Sequence, residues 1–135
     1  MIMPNDTTVA VVDGTRMRLF RNKGVEPHIR LVPLTDPEIA AVNQGSGSRH
    51  RSVAANPDAT RLTEDDFVAA AADYLNRQAL EGEIGPLFVV ADPRTLGELR
   101  RRFHGAVESR LVGELAKDLA GHSMEAIESA LSKIC

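Results

Sequence analysis

The residues best suited to chemistry in this chain fall in one short stretch, Gln44–Arg51 (QGSGSRHR). Gly45 and Gly47 have no Cβ, so a ligand can approach their backbone closely. Arg49 and Arg51 carry planar forks that pair with phosphate oxygens. His50 adds a hydrogen-bonding ring whose charge changes near neutral pH. With Gln44, these residues suit contact with RNA or phosphate more than a reaction. Ser46 and Ser48 lie among the glycines, and no base can be assigned to activate either. The same composition also suits a solvated insertion. The stretch sits within residues 36–62, a long segment poor in apolar periodicity, and such segments in compact domains are usually functional or disordered.

Two carboxylates form a second candidate. Asp13 and Asp92 each end an apolar, β-rich run, and metal-dependent nucleases hold ions on carboxylates near strand ends. A two-metal site needs further convergent acids, with ions about 4 Å apart. Glu114 or Asp118 could be recruited, but no spacing demands it. Each aspartate also has a simpler role, Asp92 as a helix N-cap and Asp13 as a turn residue. The expectation is therefore no metal ion and no cofactor, with Asp13 and Asp92 held as the alternative ligands.

Arg94 is a third candidate. It falls in the first turn of the helix expected after Asp92-Pro93, where backbone N–H groups attract anions. Arg100, Arg101 and Arg102 follow on the same helix, and most of these arginines are expected to point outward, because Leu96, Leu99 and Phe103 claim its buried face. The four histidines, His28, His50, His104 and His122, show no metal-ligand spacing. His104 is expected near a helix C-terminus, where its protonated form suits the dipole. No P-loop, dinucleotide fingerprint or nucleophile elbow is present.

Several elements must position these groups. Thr8–Asp13, the alternating stretch from Met17 to Asn22, and Ile29–Leu34 read as three antiparallel strands, with Asp13-Gly14 turning between the first two. Thr63, with Asp66 at capping-box spacing and Leu62 and Phe67 as the staple, opens a helix that Gly82 and Gly85 end. Leu87–Ala91 reads as a strand covered on both faces. Asp92-Pro93 starts the next helix, and Gly105 is placed to end it. Val107, Leu111, Leu115 and Leu119 recur every four residues and slightly favour helix, while Arg110–Leu115 also suits a strand weakened by Gly113. Ser123 caps a last helix with a stripe of Met124, Ile127, Leu131 and Ile134. Strands followed by βα units predict an α/β fold, a mixed five-stranded sheet in ribonuclease H-like order (β-β-β-α-β-α-β-α) with helices packed on it.

Composition narrows the function. With 135 residues, the chain reads as one domain, 1–135. A net charge of −3 disfavours a dedicated DNA-binding domain, and four Phe, one Tyr and no Trp disfavour stacking platforms for single strands. Cys135 can close no intrachain disulfide, MIMPNDTT lacks a signal-peptide core, and no apolar run approaches the roughly 20 residues of a membrane span. A cytoplasmic protein without a membrane partner is the expectation.

Three segments carry a resemblance: VVDGTRMRLFRN (Val11–Asn22), ADPRTLGELRRRFH (Ala91–His104) and LVGELAKDLAGHSMEAIESAL (Leu111–Leu131). Together, in this order, they resemble the bacterial family labelled "protein required for attachment to host cells". That family is similar to the middle domain of archaeo-eukaryotic peptide release factors, which also opens with a strand ending in Asp-Gly. The resemblance implies the ribonuclease H-like topology and makes Arg110–Leu115 the fifth strand. In release factors, the loop between the third strand and the first helix carries Gly-Gly-Gln and reaches the peptidyl-transferase centre. The corresponding segment here contains NQGSGSRHRS (Asn43–Ser52) and no Gly-Gly-Gln, which argues against peptidyl-tRNA hydrolysis. The implied function is a non-enzymatic, translation-associated module contacting the ribosome or tRNA. A protein-interaction or regulatory role in host attachment is the alternative, and a metal-dependent nuclease the third reading.

Overall fold

The computed structural model describes residues 3–25, 28–37, 39 and 57–134, with side chains in the first long helix described from Asp65 onward. The strands are β1 (Thr8–Val12), β2 (Met17–Asn22), β3 (Leu31–Pro33), β4 (Leu87–Ala91) and β5 (Leu111–Ala116). The helices are α1 (Pro57–Leu80), α2 (Pro93–Arg102), the single turn α3 (Gly105–Glu108) and α4 (Met124–Ile134). One five-stranded sheet runs β3-β2-β1-β4-β5. β1–β2 and β2–β3 pair antiparallel, whereas β1–β4 and β4–β5 pair parallel. The protein is thus an α/β fold built on a mixed sheet, with helices on both faces.

The apolar runs explain the layering. Every residue of β1 and β4 is buried, because these two strands occupy the centre and are covered on both sides. Alternation then sends Ala10, Val12, Val89 and Ala91 toward α1 and α2, which contribute Val68, Leu75, Leu96 and Leu99. Val9, Val11, Phe88 and Val90 face the other way, against Ile127 and Leu131 of α4. Fully burying one such side chain contributes about 1.5–3 kcal/mol, so these two cores dominate the folding energy.

Several boundaries differ from expectation. α1 begins at Pro57, not at Thr63, so residues 57–62 of the expected 36–62 loop are helical. A proline suits a first helical position, since its missing N–H has no intrahelical partner there. The C-terminus of α1 follows expectation: Gly82 takes a φ of 74°. The Glu83 N–H then donates to Gln78 O and the Gly82 N–H to Ala79 O, the double closure of a Schellman motif. α2 stops at Arg102, and Gly105 opens α3 instead of ending α2. The period-four apolar series dissolves into three environments, with Val107 in α3, Leu111 and Leu115 in β5 and Leu119 before α4. Residues 111–116 are therefore a strand, irregular at its start, where Leu87 pairs with Leu111 and Phe88 with Gly113.

Candidate functional site

Asp13 and Asp92 follow directly on Val12 and Ala91, which are partners in the parallel β1–β4 ladder. The two aspartates therefore leave the sheet side by side. Their carboxylates serve separate local structures. Asp13 Oδ1 accepts from the N–H groups of Thr15 and Arg16, both at 2.8 Å, and from the Thr15 hydroxyl at 3.1 Å. This Asx-type closure shapes the β1–β2 turn, and Arg16 Nε stands 3.9 Å from Asp13 Oδ2. Asp92 Oδ2 accepts from the Thr95 N–H at 3.1 Å, in extended N-cap geometry. Among the described residues, no three His, Cys, Asp or Glu side chains converge as a metal site. Glu114 is held by Arg100, whose Nε and Nη2 contact its Oε1 at 2.9 and 2.5 Å.

Arg94, at the start of α2, reaches across to α1 and contacts Asp65 Oδ1 at 3.0 Å. This pair, with Gly14, Val68, Thr95 and Glu98, surrounds a cavity of about 30 Å³. That volume holds one or two water molecules and no organic substrate. Two carboxylates and one guanidinium line it, so it is not an anion pocket by charge. The arrangement ties α1 to α2 beneath the Asp13–Gly14 turn.

The remaining sequence candidates, Gln44, Gly45, Gly47, Arg49, His50 and Arg51, lie outside the described residues. Only the frame of that segment is described: it leaves the edge of the sheet after β3 and returns at Pro57. On the β3 side, the Leu34 N–H donates to Leu19 O and the Leu19 N–H to Asp36 Oδ1, so the chain stays paired with β2 up to Asp36.

His104 serves a different end from the one expected. Its Nδ1 accepts from the Ala106 N–H at 3.1 Å, capping the N-terminus of α3, and its own N–H donates to Asn76 Oδ1. His104 therefore supports the start of α3 and not the α2 dipole.

Sequence reading passed over one polar residue of consequence. Asn22 is fully buried. Its Nδ2 donates to the carbonyls of Met3 and Pro4, and its Oδ1 accepts from the N–H groups of Gly24 and Arg30. An asparagine ending an apolar strand is the only signal that could have marked it.

The side-by-side exits of β1 and β4, one into a turn and the other into a capped helix, belong to a mixed-sheet α/β domain. The class of protein comes from a family model: the bacterial archaeo-eukaryotic release factor family 12 matches residues 6–131. The chain belongs to that family. No curated protein matches it. Among the described residues, no helix is long and apolar enough to cross a membrane.

Proposed function

We propose that this protein is a non-enzymatic, translation-associated module that binds RNA or the ribosome, as a single cytoplasmic domain of ribonuclease H-like topology. The carrying observation is family membership over residues 6–131; a shared domain points to a shared surroundings, the translation machinery, although fold alone does not define activity. In this reading, Gln44, Gly45, Gly47, Arg49, His50 and Arg51 contact RNA, with Arg94 supporting from the start of α2. The segment stands between β3 and α1, where the release-factor motif would lie, and it lacks Gly-Gly-Gln. The module therefore binds without hydrolysing peptidyl-tRNA.

Ribosome co-sedimentation over a salt series tests this. Replacing Arg49 and Arg51 with Ala should weaken binding and lower the slope of log affinity against log salt by about 0.7 per lost phosphate contact to single-stranded RNA. Unchanged sedimentation and slope would overturn the assignment. The host-attachment name rests on the resemblance of the three segments; if it describes the role, a deletion strain should attach less while the protein stays inside the cell fraction.

A further inference from the structure

Among the described residues, two buried side-chain polar atoms have no hydrogen-bond partner, Thr8 Oγ1 and Arg21 Nε. They belong to residues directly opposite each other in the β1–β2 ladder. The Thr8 N–H turns away to Pro86 O at 2.9 Å, so this is a pair without mutual backbone bonds, the kind whose side chains stand closest. Alternation puts both on the face that carries Ala10 and Leu19. Thr8 is only 1 % exposed and Arg21 is half-buried.

Two orphaned donors side by side are unusual, because buried polar groups are nearly always satisfied. A half-buried guanidinium is also expected to be paired with an acid. The acid that senses Arg21 is Asp6, and it is already held by Lys23 at 2.7 Å. Lys23 donates its backbone N–H to Arg30 O, which brings a third cation to the same end of the hairpin. Among the described residues, Arg21, Lys23 and Arg30 gather at this end of the hairpin, with Asp6 paired to Lys23.

We propose that Thr8 and Arg21 form a site for a phosphate group, either free or in the backbone of a polynucleotide. A tetrahedral oxyanion takes Nε–H and an Nη–H of one guanidinium together. A further oxygen accepts from the Thr8 hydroxyl, while Lys23 and Arg30 make the approach favourable. Rotation of the half-exposed Arg21 side chain opens the two covered atoms to the incoming oxygens. The site lies at the opposite end of β1 from Asp13 and Arg94, so it stands or falls independently of the function proposed above.

The Arg21 Nε–H resonance of the whole chain, followed by NMR during titration with inorganic phosphate, tests the site directly. It should shift and saturate in the low millimolar range, with the Thr8 amide moving in step. Arg21→Lys keeps the charge but loses the Nε–H and the fork, and should weaken binding about tenfold. Thr8→Val keeps the shape, should weaken binding about threefold, and should raise the Tm by a few degrees in phosphate-free buffer by removing an unpaired hydroxyl. A single-stranded RNA that moves the same resonances identifies a backbone phosphate as the ligand, and RNA without effect identifies free phosphate. An Nε–H that stays still, equal binding by Arg21→Lys, or saturation only at hundreds of millimolar, meaning an adventitious ion only, would overturn the proposal.

Discussion

Residues that look catalytic by type can be wholly occupied by local geometry. Asp92 satisfies an N–H of the first turn of α2, and Asp13 satisfies two in the β1–β2 turn. Asp92→Ala should lower stability by about 1 kcal/mol, whereas Asp92→Asn, itself a good N-cap, should cost only a fraction of that; urea unfolding of both variants measures the difference. Asn22 carries more. Asn22→Leu leaves the Met3 carbonyl and the N–H groups of Gly24 and Arg30 without partners, while Pro4 O keeps its bonds from Thr7, and should destabilise by about 3 kcal/mol or more, at about 1–3 kcal/mol per orphaned group.

Charge at that corner responds to acid in a defined direction. The hydrogen bond from Lys23, reinforced by its charge, holds the exposed Asp6 carboxyl below the usual carboxylate range. A depressed carboxylate stabilises the fold above its unfolded pKa, and that contribution disappears as pH falls through the folded value. An NMR titration of Asp6 should show the low value return to the ordinary one in Lys23→Met.

Among the elements, the short ones depend most on borrowed partners. β3 has only three residues and lies at the sheet edge, where unpaired backbone groups invite other chains. Its Leu31 N–H donates to Glu128 Oε2 of α4 at 2.7 Å, so a helix on one face secures an edge strand. α3 is a single turn and depends on the His104 cap. His104→Asn should preserve that start, and His104→Ala should cost about 1 kcal/mol, read as earlier hydrogen exchange at Ala106 and Val107. Sequence reading placed α2, β4 and α4 well because their caps and apolar faces are local. It misplaced the start of α1, which lies at Pro57, and the end of α2, after which the His104 side chain caps α3, a bond that no period reveals.

At the level of the whole molecule, two cores share one sheet, and β1 and β4 are the common wall between them. Phe88 is fully buried in the α4-side core. Phe88→Ala should cost about 3–5 kcal/mol through lost transfer energy and the cavity left behind, read as a lowered midpoint in thermal unfolding.

The chain's sequence alone determined the class of fold. Continuous apolar runs require strands covered on both faces, and Asp92-Pro93 after one of them requires a helix, because those are local consequences of burial and of backbone hydrogen bonding. Its strand-to-helix segments also marked the lineage. Tertiary structure alone decided which polar groups are spent and which are spare. Asp13 and Asp92 meet at adjacent strand exits yet work apart, Arg94 turns to Asp65, and among the described residues the paired Thr8 and Arg21 keep Oγ1 and Nε without a hydrogen-bond partner. Those outcomes depend on strand order and register, which bring together residues far apart in the chain and leave no periodic trace in it.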